Sequence, residues 1–234
     1  MLDLALAFYL VLVLPTQRLY GSIRPRVGPK RTIEQRYLLS MRDIGLMLLA
    51  LLFICWRKGY DAADMGLALP AAGVPLWCLL AASATMAALL IANYLSTRRM
   101  ASDKRATLLQ RSRDGGMPTT PSALRLFGLL VLFIGAGWEL LYRGFLVLAL
   151  TPYIGVWPTV LLSGLAYGAA HGYKSPMQFS LSILSALLFA AGYVLSGSLW
   201  WLMVIHIVLP LTNAITTQQL IKMSNPEEAE HALS

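Results

Sequence analysis

With 57% hydrophobic and only 13% charged residues in 234, and a mean hydropathy of +0.63, the chain carries more apolar side chain than a soluble domain of this size can bury, which leaves a membrane protein as the fitting class. Nineteen Lys+Arg against eleven Asp+Glu give a formal net charge of +8. In a soluble chain that balance would point to nucleic acid; here the clustering of the basic residues between apolar tracts excludes it.

A helical span needs roughly 20 apolar residues, because each rises ~1.5 Å through a hydrocarbon core of ~30 Å. Seven tracts meet this in whole or in part, at about 2–15, 44–56, 72–96, 124–150, 154–171, 177–195 and 199–221. The fold class expected is therefore all-α, a multi-pass transmembrane helix bundle of about seven (6–8) helices. The first tract carries Asp3, lacks a basic leader and is followed by no small-x-small site after Leu14, so no removable signal peptide is expected. The first two tracts are short and must gain length from their flanks or lie shallow.

Between tracts one and two fall Arg18, Arg24, Arg26, Lys30, Arg31, Arg36 and Arg42; between tracts three and four fall Arg98, Arg99, Lys104, Arg105, Arg111, Arg113 and Arg125. Placing both groups on the cytoplasmic side, against anionic membrane lipid, puts the N-terminus outside and, after seven crossings of the cell membrane, the C-terminus inside. The segment "RKGYDAADMG" after tract two is then external. The chain divides into N-terminal membrane helices with a basic loop (1–97), a basic connecting loop (98–121), a four-helix membrane core (122–221) and a polar tail, "KMSNPEEAEHALS" (222–234). Cys55 and Cys78 lie in or beside apolar tracts and read as small hydrophobes, with neither disulfide nor zinc spacing.

Ionisable groups at bilayer depth cost roughly 2.5–3.5 kcal/mol each, so they face a cavity or a partner. The last four tracts hold Glu139, Arg143, His171 and His206, and Glu139 is the only carboxylate between Asp114 and Glu227. Glu139 and Arg143 are i,i+4 on one helix face and pair with each other, either as a structural clasp or to aim an ionised carboxylate into a wet cavity. His171 ends "GLAYGAAH", where Gly164, Gly168, Ala169 and Ala170 admit a neighbouring helix and Tyr167 stands one turn before the histidine. His206 lies in "SGSLWWLMVIHIVLPLTN", with Pro210 placed to loosen the helix one turn beyond it.

The words "WELLYRG", "YGAAH" and "GSLWWLMVIH" resemble the motifs of the CPBP family, the glutamate-type intramembrane endopeptidases that include CAAX prenyl proteases and bacteriocin-processing or immunity proteins. That family's pattern is EExxxR on one helix, an aromatic-xxxH on the next and HxxxN on a later one, and the resemblance covers roughly residues 122 to 221. It implies hydrolysis of a peptide bond in a membrane-associated or lipidated hydrophobic peptide, with water activated by Glu and His. Glu139, His171 and His206 are then the catalytic candidates, and Tyr142, Arg143, Tyr167 and Asn213 the supporting ones. Glu139 or His171 would act as general base and His206 would polarise the scissile carbonyl.

Two positions depart from the pattern. Trp138 replaces the first acidic residue, and Pro210 replaces the Asn four residues after His206. Asn213 lies on nearly the same face as His206 but about 10 Å along the axis, against about 6 Å for the usual spacing. The same residues therefore also fit a catalytically weak or inactive scaffold or immunity protein. A small transporter is a further alternative, against which stands the lack of repeated halves. Two histidines and a carboxylate are also a donor set for zinc or iron, but they come from three helices with no HExxH-like pair, so no cofactor is expected. With equal straight spans, Glu139 and His206 fall in the outer half and His171 near the inner face, so tilted or broken helices are needed to unite them.

Overall fold

A computed structural model describes residues 1–24 and 31–224. Arg26 and Lys30 of the first basic group, and the tail from 225 onward, lie outside the described residues. The described chain is helical. In order, α1 spans Leu2–Ile23, α2 Ile33–Lys58, α3 Gly73–Arg99, α4 Ser102–Asp114, α5 Pro121–Ile154, α6 Val156–Ala170, α7 Pro176–Ser196 and α8 Trp200–Ser224. Six of these, all but α4 and α6, are long and apolar enough to cross a membrane. The molecule is the multi-pass bundle its composition requires. The fifth apolar tract is the exception, since α6 has 15 residues and is about 22 Å long, short of a full crossing.

Local chemistry sets the helix ends. Thr32 caps α2 through a capping box, accepting from the Gln35 N–H at 3.3 Å while its own N–H donates to Gln35 Oε1 at 3.1 Å. Thr120 and Ser175 cap α5 and α7 through their hydroxyls, each followed by a proline at the first helical position, where the missing N–H costs nothing. The chain passes from α5 to α6 through Gly155 at φ 81°, ψ 168°, a conformation that a side chain would forbid. The first two spans exceed their apolar tracts because polar turns extend them: Thr16–Ile23 in α1 and Ile33–Asp43 in α2. The basic segment 98–121 also carries a helix, the polar α4, for which the hydropathy gave no sign.

Leaving α4 aside, successive helices alternate in direction, the short α6 included. At one end, the Tyr37 hydroxyl near the start of α2 donates to the Gly116 carbonyl at 2.7 Å, Gln218 of α8 donates to the Pro118 carbonyl at 2.8 Å, and Gln219 donates to the Tyr94 carbonyl of α3 at 3.1 Å. The described members of both basic groups gather at this end. At the other end, Lys58 Nζ meets Asp3 at 3.0 Å, and the segment between α2 and α3 lies over the start of α8, with the Leu199 N–H donating to the Gly66 carbonyl at 2.9 Å. Helix α8 therefore begins beneath that segment, and Leu199 is fully buried.

The middle of α5 is the centre of the bundle. Leu141, Tyr142, Phe145 and Leu146 are fully buried against α1, α2 and α6. Outward faces carry leucines and aromatics such as Leu52, Trp56, Leu132 and Leu188, as a lipid-facing surface must. Helices α6 and α7 approach closely where the sequence offers small residues: an added Cβ at Gly168 would lie 2.7 Å from Ile183 Cα, and one at Gly164 2.9 Å from Leu187 Cα.

Candidate active site

Helix α5 delivers the two buried charges. It passes through a π-helical turn at Leu140–Phe145, a distortion that is common where a helix must re-aim side chains at a functional site. A matching π turn at Tyr9–Val13 in α1 faces it, and the Tyr142 hydroxyl donates to the Leu10 carbonyl at 2.9 Å. Glu139 and Arg143 are both fully buried, and Arg143 Nη1 donates to Glu139 Oε1 at 3.2 Å, the pairing that the i,i+4 spacing required. Arg143 is held further by the Ala186 carbonyl, 3.3 Å from Nη2, and by the Tyr167 ring, whose centroid lies 4.0 Å from its Cζ.

Helix α8 brings His206 onto the same carboxylate. Its Nδ1 is 3.0 Å from Glu139 Oε1 and 3.2 Å from the Leu202 carbonyl. Both neighbours are acceptors, which assigns the proton to Nδ1 and leaves Nε2 for other chemistry. The approach depends on Gly135, one turn before Glu139: a Cβ there would stand 3.2 Å from Ile207 N and 3.3 Å from the His206 carbonyl carbon, and would also strike the Ile207 side chain. Gly137, on the opposite face, does the same for α2, where an added Cβ would meet Ile44 Cγ2 at 2.7 Å. Together these glycines seat α5 between α2 and α8.

His171 ends α6, and its Nδ1 donates to the Tyr167 carbonyl at 2.9 Å, so that Nε2 is again the available nitrogen. Tyr167 links it to the rest. Its ring meets His171 edge-on at 4.7 Å between centroids, His206 edge-on at 6.1 Å and Tyr142 at 5.0 Å. The three catalytic candidates thus converge around one tyrosine. Two features close the depth mismatch expected from straight spans: α6 is too short to carry His171 across the full bundle, and α8 starts beneath the segment after α2.

The accessibility of the three differs. Glu139 has no exposed surface, His206 keeps 18% of its side chain exposed, and His171 is exposed and lines a cleft of about 460 Å³ at the basic end. Among the described residues, Glu139 Oε2 and Arg143 Nε are buried and find no hydrogen-bond partner.

The remaining candidates divide. Tyr167 and Arg143 are in the cluster. Tyr142 touches it with its ring only, because its hydroxyl is bound to Leu10. Asn213 is exposed, two turns along α8 from His206, and does not join the site. Trp138 is half-buried, with its ring 5.9 Å from that of Tyr142, so the position of the family's first acidic residue is filled by an apolar indole. Pro210 is accommodated within α8, which runs unbroken to Ser224. Among the described residues, no three His, Cys, Asp or Glu side chains converge as a metal-ligand set.

Sequence reasoning had not singled out Gly135, Gly137, the Ala186 carbonyl or Phe189, whose ring lies 5.4 Å from His206. The first two were signalled by "GAG" one turn before Glu139; the others depend on tertiary register alone.

Residues 120–212 match the family model described as type II CAAX prenyl endopeptidase Rce1-like, a stretch that contains every member of the cluster on α5, α6 and α8. No curated protein and no solved structure matches the chain.

Proposed function

The chain belongs to the CPBP/CAAX-protease family through residues 120–212, and from that premise we propose that it hydrolyses a peptide bond in a membrane-associated or lipidated peptide. The observation that carries the reading is the shared carboxylate: Glu139 Oε1 accepts a hydrogen bond from Arg143 and lies 3.0 Å from His206 Nδ1, with His171 reached through Tyr167. With its Nδ1–H held by the Tyr167 carbonyl, His171 offers an Nε2 lone pair to a water in the open cleft. It takes the proton as the water oxygen attacks the scissile carbonyl, and returns it to the leaving amine. His206, protonated and facing Glu139 through Nδ1, donates from Nε2 to the developing oxyanion. Glu139 serves as the counter-charge that orients His206, and Arg143 compensates that carboxylate inside the bundle. Of the two bases that the motifs allow, geometry favours His171, because Glu139 is sealed.

The substitutions at Trp138 and Pro210 favour a second reading, a relative that binds hydrophobic peptides with little or no turnover. Purified full-length protein in proteoliposomes, offered a fluorogenic lipidated peptide, separates the two. Cleavage that falls by about 100-fold or more in His171→Ala and in His206→Ala supports the hydrolase; no cleavage by the folded wild type, with the peptide still bound, supports the binder. By the positive-inside rule we also place the basic end, with the His171 cleft, on the cytoplasmic side of a cell membrane and the N-terminus outside.

A further inference from the structure

The cleft beside His171 has a composition that the hydrolytic mechanism does not use. It lies between the last turns of α1 and the turn after α6, and Arg18, Arg24 and Lys174 line it together with Gln17, Ser22 and His171, with no carboxylate among the described residues. Its walls are fixed to each other. The Tyr173 N–H donates to Ser22 Oγ at 2.9 Å, and that hydroxyl donates to the Leu19 carbonyl at 2.7 Å. Gly172, at φ 75°, turns the chain close to the Arg18 carbonyl. Arg24 is stacked over Tyr20, with Cζ 4.4 Å from the ring centroid. The carbonyl ends of α1 and α6 point toward this region and disfavour an anion, but their partial charges are small beside three formal cations.

The surface leading away from the cleft is apolar. Phe8, Leu12, Tyr20 and Ile23 are exposed along α1, which ends at the cleft. We propose that the cleft binds the phosphate of an anionic glycerophospholipid, with the acyl chains lying along the exposed side of α1. A free anion would use the cations but leave the apolar face uncovered; a lipid satisfies both. The site lies at the basic end of the bundle, the level at which membrane phosphates stand when that end faces an anionic leaflet. The bound headgroup stands beside His171. The proposal does not depend on whether the chain hydrolyses peptides.

The test uses full-length protein in neutral detergent, with phosphatidylglycerol, phosphatidylcholine or inorganic phosphate added, read by the thermal midpoint and by lipid retention in native mass spectrometry. Phosphatidylglycerol is expected to be retained and to raise the midpoint. Arg18→Gln/Lys174→Gln is expected to lower that retention about tenfold or more, with its lipid-free midpoint unchanged. Arg42→Gln, which removes a cation paired with Asp43 away from the cleft, should retain the lipid as the wild type does. Equal retention of phosphatidylcholine, an equal loss in Arg42→Gln, or full stabilisation by inorganic phosphate alone would each overturn the proposal.

Discussion

Glu139 and His206 meet at 3.0 Å, Oε1 to Nδ1, across the seam between α5 and α8. Nothing in the local sequence of either helix enforces this contact. It exists because Gly135 lets the two backbones close one turn away and because the segment after α2 depresses the start of α8. The pair joins a buried carboxylate and a partly exposed imidazole into one electrostatic unit.

Gly135→Val follows directly. The new side chain collides with the backbone at His206–Ile207, so α8 must move away and the Glu139–His206 contact must lengthen. A displacement near 1 Å at a reacting group can cost about 100-fold in rate. Turnover is expected to fall by that order while circular dichroism retains the helical signal. A rate within threefold of wild type would show that the seam is not what sets the site.

Glu139→Gln leaves the Arg143 guanidinium buried without a counter-charge. Breaking such a pair by removing one member costs about 3–5 kcal/mol, which should appear as a large drop in the unfolding midpoint in detergent. Glu139→Gln/Arg143→Gln should recover part of that loss, since no uncompensated charge remains. Additive losses in the double variant would mean that the two side chains are not coupled.

Tyr142 and Tyr167 are expected to behave differently despite their contact. Tyr142→Phe removes one hydrogen bond to Leu10, worth about 1 kcal/mol, and should leave turnover within a few-fold. Tyr167→Leu removes the ring that touches Arg143, His171 and His206 together, and should abolish most turnover at a larger cost in stability. Comparing rates and midpoints for the two variants checks this. Equal kinetic effects would place the Tyr142 hydroxyl in the chemistry after all.

The pH profile of cleavage should fall away on its acid side. His171 must be neutral to accept a proton, and desolvation beside Tyr167 disfavours its charged form, so its contribution is lost only as pH falls below the ordinary histidine range near 6.5. A rate unchanged down to the carboxylate range, about pH 4, would remove His171 as the base.

Much of this was legible in the sequence, for physical reasons that differ by element. Hydropathy located the spans but cut α1 and α2 short, because Thr16–Ile23 and Ile33–Asp43 are polar turns held helical by propensity and, at Thr32, by a capping box with Gln35. Helix α4 is polar throughout and left no apolar signal. The Glu139–Arg143 pair was readable because i,i+4 spacing is a local property, and the α6–α7 seam was readable from Gly164 and Gly168. The Glu139–His206 contact was not, because register between helices is set by the loop that covers α8. Asn213 was drawn toward the site as a stand-in for the motif Asn that Pro210 replaces, on nearly the same helix face as His206, yet it lies on an exposed part of α8. Trp138 was the residue to explain, and its indole packs near the Tyr142 ring.

The most direct test of the hydrolytic account is cleavage of a lipidated reporter peptide in ¹⁸O-water by purified wild-type protein and by a folded His171→Ala variant. The account predicts a wild-type product with ¹⁸O in its new carboxylate and a rate lower by about 100-fold or more in the variant. Product formed equally by both proteins, or none formed by the folded wild type, would contradict it.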